Sequence, residues 1–236
     1  MRSSIRDEIR RELKSHIDPV YRDGAARYFK EEVKVIGVRT PIVRKIAAKY
    51  YSRFPRKDGK REIFLEAEKL LVAENQEERT IALAWVGRKV KNFEPCDFKI
   101  FERWSKQYFT NWAACDDFCG RVLGPLLLKF PALAPRMKVW AKSQNMWLRR
   151  MAAVGLISSL RRGEQLPLLF QIADTLLSDR EDLVQKGYGW MLKVAADVRR
   201  AEVFAFVLAR KDRMPRTALR YAIEKLPAEM KRQAMA

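Results

Sequence analysis

The sequence predicts an all-α fold, and three observations carry that expectation. Apolar residues recur at three- and four-residue intervals almost throughout, no stretch sustains strand-like alternation with β-branched enrichment, and prolines sit where helices would begin. With 48% apolar residues in a chain of 236, there is ample material for a buried core.

In chain order, the periodicity predicts helices over Ile5 to Ile17, Val20 to Val35, Pro41 to Phe54, Arg61 to Ala73, Gln76 to Val90, Cys96 to Gln107 and Trp112 to Phe130. It continues with Leu133 to Ala141, Met146 to Leu160, Leu166 to Leu177, Leu183 to Ala196, Glu202 to Ala209 and Pro215 to Leu226. Thr40-Pro41, Glu94-Pro95, Phe130-Pro131 and Met214-Pro215 place proline at or beside a helix start, where its missing N–H costs little. The connections are short and no Gly/Ser/Pro-rich linker divides the chain, so one domain over residues 1–236 is expected, with consecutive helices antiparallel.

A repeat emerges when the second helices of successive pairs are superposed. Arg79-Thr80-Ile81-Ala82, Asp116-Asp117-Phe118-Cys119, Arg150-Met151-Ala152-Ala153 and Lys186-Gly187-Tyr188-Gly189 each place a small residue three positions after a charged one. Their first residues are 37, 34 and 36 apart, and Arg216 follows 30 later with a poorer match. Two helices per unit at this period indicate an α-solenoid, and the polar-then-small phrase resembles the HEAT-repeat pattern. The expected architecture is therefore a curved superhelix of antiparallel pairs with a basic concave face, although helical bundles also often place alanine shortly after arginine.

Charge narrows the partners. The 48 Lys and Arg against 29 Asp and Glu give a formal charge of +19, well beyond what solubility requires and suited to a polyanion. Nucleic acid, an anionic membrane surface and an acidic protein are all compatible with it. The longest apolar runs fall far short of the roughly 20 residues needed to cross a bilayer. The N-terminus turns charged within a few residues, so a cytoplasmic protein is expected. Three cysteines suggest reduced thiols. Cys115 and Cys119 lie four apart on a predicted helix, but neither Cys96 nor His16 is placed to complete a metal site, so they are expected to be buried small side chains.

Stacked repeats align equivalent positions along one face, here Arg79, Asp116, Arg150, Lys186 and Arg216. Cations at that spacing can track a phosphate backbone, but Asp116 has the wrong sign. Two readings of it stand: a catalytic carboxylate, or an ion-pair partner of Arg150 or Lys186 that orders the stack. Trp112 lies four residues before Asp116 and Trp190 four after Lys186, each one turn along the same helix face. Indoles so placed can stack on bases or sugars, or pack between helices. Trp85, Trp104, Trp140 and Trp147 are expected to pack.

The chain resembles the AlkD family of bacterial DNA alkylation-repair glycosylases. The resemblance runs through Ala26-Arg27-Tyr28-Phe29-Lys30, Gly37-Val38-Arg39-Thr40-Pro41 with Arg44, Asn111-Trp112 with Asp116, Trp147-Leu148-Arg149-Arg150-Met151-Ala152-Ala153 and Gln185-Lys186-Gly187-Tyr188-Gly189-Trp190. It implies that Trp112, Asp116, Arg150 and Trp190 form the active-site cleft, with Tyr28, Arg44, Arg79, Arg149, Lys186 and Arg216 as candidate DNA contacts. Of the adjacent Arg149 and Arg150, the match and the column both favour Arg150 for the groove. Ala113 departs from the family, where an acidic residue is expected.

The implied reaction is hydrolysis of the N-glycosidic bond of cationic alkylpurines, such as N3-methyladenine and N7-methylguanine, in duplex DNA. No cofactor, metal, membrane or obligate protein partner is expected, and a monomer is. A catalytically silent HEAT-repeat protein that binds damaged or branched DNA is the alternative. A protein-interaction solenoid would explain the repeat but not the charge.

Overall fold

The computed structural model describes residues 4–55, 59–73 and 75–236, and is all-helical. Among these residues the β pairing consists of an isolated bridge between Lys34 and Asn75. The chain divides by contact into two compact units, residues 1–93 with 107–122, and residues 94–106 with 123–236.

The first unit contains α1 (Ile5–Lys14), α2 (Pro19–Ala26), α3 (Thr40–Tyr51), α4 (Lys60–Leu71), α5 (Gln76–Gly87) and α7 (Trp112–Phe118). Its helix starts follow from local chemistry: Ser4, Asp18, Asn75 and Asn111 each accept a backbone N–H of the first turn that would otherwise lack a partner. α5 is the central element, packed on α3, α4 and α7. Trp85 anchors it, fully buried, with its indole N–H donating to the Ala47 carbonyl at 2.8 Å and its ring edge-on to Phe54 at 5.0 Å. Glu78, also buried, receives Arg10 at 2.6 Å and Arg6 at 3.4 Å and so ties α1 to α5.

The second unit contains α6 (Asp97–Gln107), α8 (Gly124–Lys129), α9 (Met137–Ala141), α10 (Met146–Val154), α11 (Ile157–Leu160), α12 (Leu166–Thr175), α13 (Asp182–Ala196), α14 (Arg200–Leu208), α15 (Arg216–Ile223) and α16 (Ala228–Met235). Here α10 packs on α13 and α13 on α15, so the second helices stack in sequence order as the repeat spacing requires. Two glycines permit the close approach. A Cβ at Gly189 would meet Tyr221 Cβ at 2.7 Å and the Ala218 carbonyl at 2.8 Å, while one at Gly187 would press on Arg150. Tyr188 between them is buried and donates to the Leu177 carbonyl at 3.0 Å, fixing α13 against the end of α12.

Several boundaries differ from the expectation for physical reasons. The helix expected over Val20 to Val35 ends at Ala26, and the following segment runs to the bridge at Lys34 and the buried Glu77. Glu77 accepts the backbone N–H groups of Ile36, Gly37 and Val38 at 3.0, 2.7 and 3.1 Å, and Gly37 takes a φ of 101° to present them. The β-branched Val33, Val35 and Ile36 favour that extended course. The helix expected over Trp112 to Phe130 breaks into α7, a π-helical turn at Cys119–Leu123 and α8. Pro125 has no N–H for the carbonyl one turn back, which favours a shift of ladder register before it. The helix expected over Met146 to Leu160 divides at Gly155, where a Cβ would meet the Met151 carbonyl at 2.8 Å and Leu123 Cδ2 at 2.9 Å. α16, which follows Pro227, was not expected.

Candidate functional site

α7, in the first unit, carries one set of the predicted site residues. Asn111, fully buried, caps the helix by accepting the Ala114 N–H at 2.8 Å, which fixes the rotation of α7. Ala114, Cys115 and Phe118 then face inward, leaving Trp112, Ala113, Asp116 and Asp117 half-buried. Trp112 and Asp116 therefore share an accessible face one turn apart. The Trp112 ring stacks on Phe29 with centroids 5.6 Å apart.

Trp112 also borders a pocket of about 580 Å³, walled by Tyr21, Tyr28, Phe29, Val38 and Val43 and edged by Gln76, Thr80 and Ala113. Tyr28 stands 81% exposed at its rim. Ala113, the departure from the family pattern, thus lines this pocket. The Glu77 carboxylate, which sequence reasoning missed, holds one wall in place by organising the Gly37-Val38 backbone.

Asp117, beside Asp116, is bound through Oδ1 to Arg121 Nε at 2.5 Å, while its Oδ2 is buried without a hydrogen-bond partner among the described residues. Burial pushes its carboxyl above the usual carboxylate value; Arg121 and Arg44 pull it back, and the negative charge of Asp116 adds to the rise. The exposed Arg44 therefore acts electrostatically on this part of α7.

α10 and α13, in the second unit, carry another set. Arg150 is only 5% exposed, lies across Gly187 and donates to the Leu183 carbonyl in the first turn of α13. Gly187, Tyr188 and Gly189 face inward, which leaves Gln185, Lys186 and Trp190 half-buried on the accessible side of α13. Lys186 pairs with Asp182 at 3.4 Å, and Lys193 with Glu224 at 2.9 Å over the Tyr221 ring.

The residues expected to contact DNA differ in exposure. Tyr28, Arg44 and Arg216 are exposed and Lys186 half-exposed, as surface contacts must be. Arg79, by contrast, is only 3% exposed and so belongs to the packed interior of α5. Arg149 is committed internally: it chelates Asp179 at 2.6 and 3.3 Å and donates to the Ser143 and Gln144 carbonyls at 2.9 and 3.0 Å. Both arginines correct the surface role expected of them, and so does Arg150, expected to face the groove but buried against α13, because a helix period does not distinguish an outward cation from one turned against a neighbouring helix.

Of the tryptophans expected to pack, Trp85, Trp104 and Trp140 are buried, while Trp147 is half-exposed. Cys115 and Cys119 are buried, as small packing residues would be. Among the described residues, Glu94, Cys96 and Asp97 come close enough together to share an ion, but Asp97 already accepts the Glu94 N–H at 2.8 Å. No helix among the described residues is long and apolar enough to cross a membrane.

Comparison with known proteins gives the class to which the chain belongs. The family model for DNA alkylation repair enzymes matches residues 9–226, so the chain belongs to that family. Its role accordingly lies in the repair of alkylated DNA. A solved structure described as a predicted DNA alkylation repair enzyme from Enterococcus faecalis shares the fold with a TM-score of 0.78 at 16% identity, covering 90% of this chain and 98% of that one. No curated protein matches the chain significantly.

Proposed function

We propose that this protein is a DNA N-glycosylase that hydrolyses the N-glycosidic bond of cationic alkylated purines in duplex DNA, of the N3-methyladenine and N7-methylguanine type. The observation that carries the reading is Asp116, an accessible carboxylate held one turn from Trp112 on the Asn111-capped α7, in a chain of charge +19. In a phosphate-binding protein a carboxylate at such a place works against binding, and stabilising positive charge in the reaction would account for it.

The chemistry asks for that stabilisation. Alkylation at N3 or N7 makes the purine cationic, so it departs as a neutral base carrying the bonding electron pair and needs no general acid. The sugar becomes oxocarbenium-like as the bond stretches; water adds at C1′ and gives up its proton. Asp116 would stabilise the developing cation and orient that water. Trp112 and Trp190 would hold the lesion nucleotide's sugar and backbone, with their π-faces toward the cation. Lys186 would contact phosphate. Arg150 would act from beneath the surface, by setting the position of α13 and its own guanidinium. A labile substrate requires less reduction of the barrier than an intact nucleotide.

Incubation with methylated duplex DNA, with released bases scored by chromatography, tests the reading. Release of N3-methyladenine or N7-methylguanine is expected. Tight binding with no release would favour a catalytically silent binder of damaged DNA.

A further inference from the structure

The second unit has a cationic, apolar-floored pocket on α6, α9 and the start of α10, lined by none of Arg150, Lys186 and Arg216. Its volume is about 450 Å³. Lys138 and Lys142 stand one turn apart on α9 and its C-cap, and Lys106 lies near the end of α6; all three are exposed. Lys138 and Lys142 form no ion pair among the described residues. The floor is Trp140 and Leu148, and Val139 projects beside it at 70% exposure, a large apolar side chain left in water.

We propose that this pocket docks an acidic peptide segment of a partner protein, anchored by one apolar side chain. The anchor would sit between Val139 and Leu148, and carboxylates flanking it would pair with Lys138 and Lys142. Charge complementarity selects an acidic partner, and the exposed aliphatic surface selects one with an apolar anchor. A nucleic-acid strand fits less well. Single strands bind through exposed aromatic faces, whereas Trp140 is only 2% exposed, tilted against Phe98 with ring centroids 5.8 Å apart, with its indole N–H committed to Glu102 at 3.1 Å. Glu102 is itself held near Lys106 at 3.8 Å and Arg136 at 3.9 Å, so it orders the pocket while leaving Lys138 and Lys142 for a ligand. This inference does not depend on base excision.

Fluorescence anisotropy on the full chain tests it with three probes: a labelled peptide of several aspartates ending in phenylalanine, the same peptide ending in alanine, and an oligothymidine of matched charge. The phenylalanine peptide should bind about tenfold more tightly than the alanine peptide. Val139→Asp, and separately Lys138→Gln with Lys142→Gln, should each weaken it by about tenfold, while affinity for methylated duplex changes by less than about threefold. Equal affinity for the two peptides would reduce the pocket to unspecific charge attraction and overturn the proposal. So would unchanged peptide binding in both variants. Oligothymidine that competes with the peptide and is itself weakened by Val139→Asp would make this a nucleic-acid face instead.

Discussion

Arg150 lies against the bare backbone of Gly187, so close that a Cβ there would stand 3.2 Å from Arg150 Cγ and 3.6 Å from a guanidinium nitrogen. Alanine in place of this mid-helix glycine favours the helix by up to about 1 kcal/mol, so stability should hold while the arginine is displaced by a few tenths of an ångström. Gly187→Ala should therefore lower excision with the melting temperature unchanged or raised, and Arg150→Ala should lower DNA binding and excision together. Full activity in both variants would remove Arg150 from the functional set.

Trp85 offers the contrasting case of an indole whose role is the fold. Its burial, its bond to Ala47 and its edge-on contact with Phe54 predict that Trp85→Ala costs about 3–5 kcal/mol in chemical denaturation. Activity per folded molecule should persist. A variant as stable as the parent would show that the site collapses without loss.

Asp117 makes stability depend on pH in a direction set by its raised pKa. A carboxyl whose folded-state value lies above its unfolded value contributes stability that is present below about pH 4 and is lost as pH rises through the folded value. Ionised Asp117 is thus a cost near neutrality. Asp117→Asn, which keeps an acceptor for Arg121, should raise the melting temperature at pH 7 and leave it nearly unchanged at acid pH. A lower melting temperature at pH 7 would show that the charged pair with Arg121 outweighs burial.

Duplex binding should fall steeply with salt. Arg44, Lys186 and Arg216 alone, each neutralising one phosphate, give a slope of about −3 in log affinity against log salt. Arg44→Ala or Arg216→Ala should each reduce that slope by about 1, whereas Arg79→Ala, at a buried position, should act mainly on stability. Affinity independent of salt would contradict a phosphate-binding role for these residues.

These contrasts mark what the sequence reveals and what it conceals. The phrase from Gln185 to Trp190 was legible: two glycines and a buried tyrosine face inward, so the lysine before them and the tryptophan after them face out. Helix periodicity likewise placed Trp112 and Asp116 on one face. It could not tell that Arg79 turns inward or that Arg149 chelates Asp179, since a long cation satisfies the same period on either side of its helix. Nor could it find Glu77, whose partners are backbone amides some 40 residues away and carry no side-chain signature. The alternation through Val33, Val35 and Ile36 was the available signal that α2 ends early, and the longer helical period obscured it.

Asp116 decides the account, and Asp116→Asn is the variant that isolates it, since the substitution keeps the shape of the side chain while removing its charge. A carboxylate that stabilises an oxocarbenium-like sugar acts only in the transition state, so its loss should slow the chemical step without weakening binding. Removing a negative charge near DNA should leave affinity equal or slightly higher. If Asp116 instead served only to order the helices through ion pairs, the melting temperature would fall and activity per folded molecule would remain. Single-turnover excision of N7-methylguanine, measured with duplex affinity and thermal melting on the same preparation, separates the two. The account predicts slowed excision with binding and melting preserved; undiminished excision by folded Asp116→Asn would contradict it.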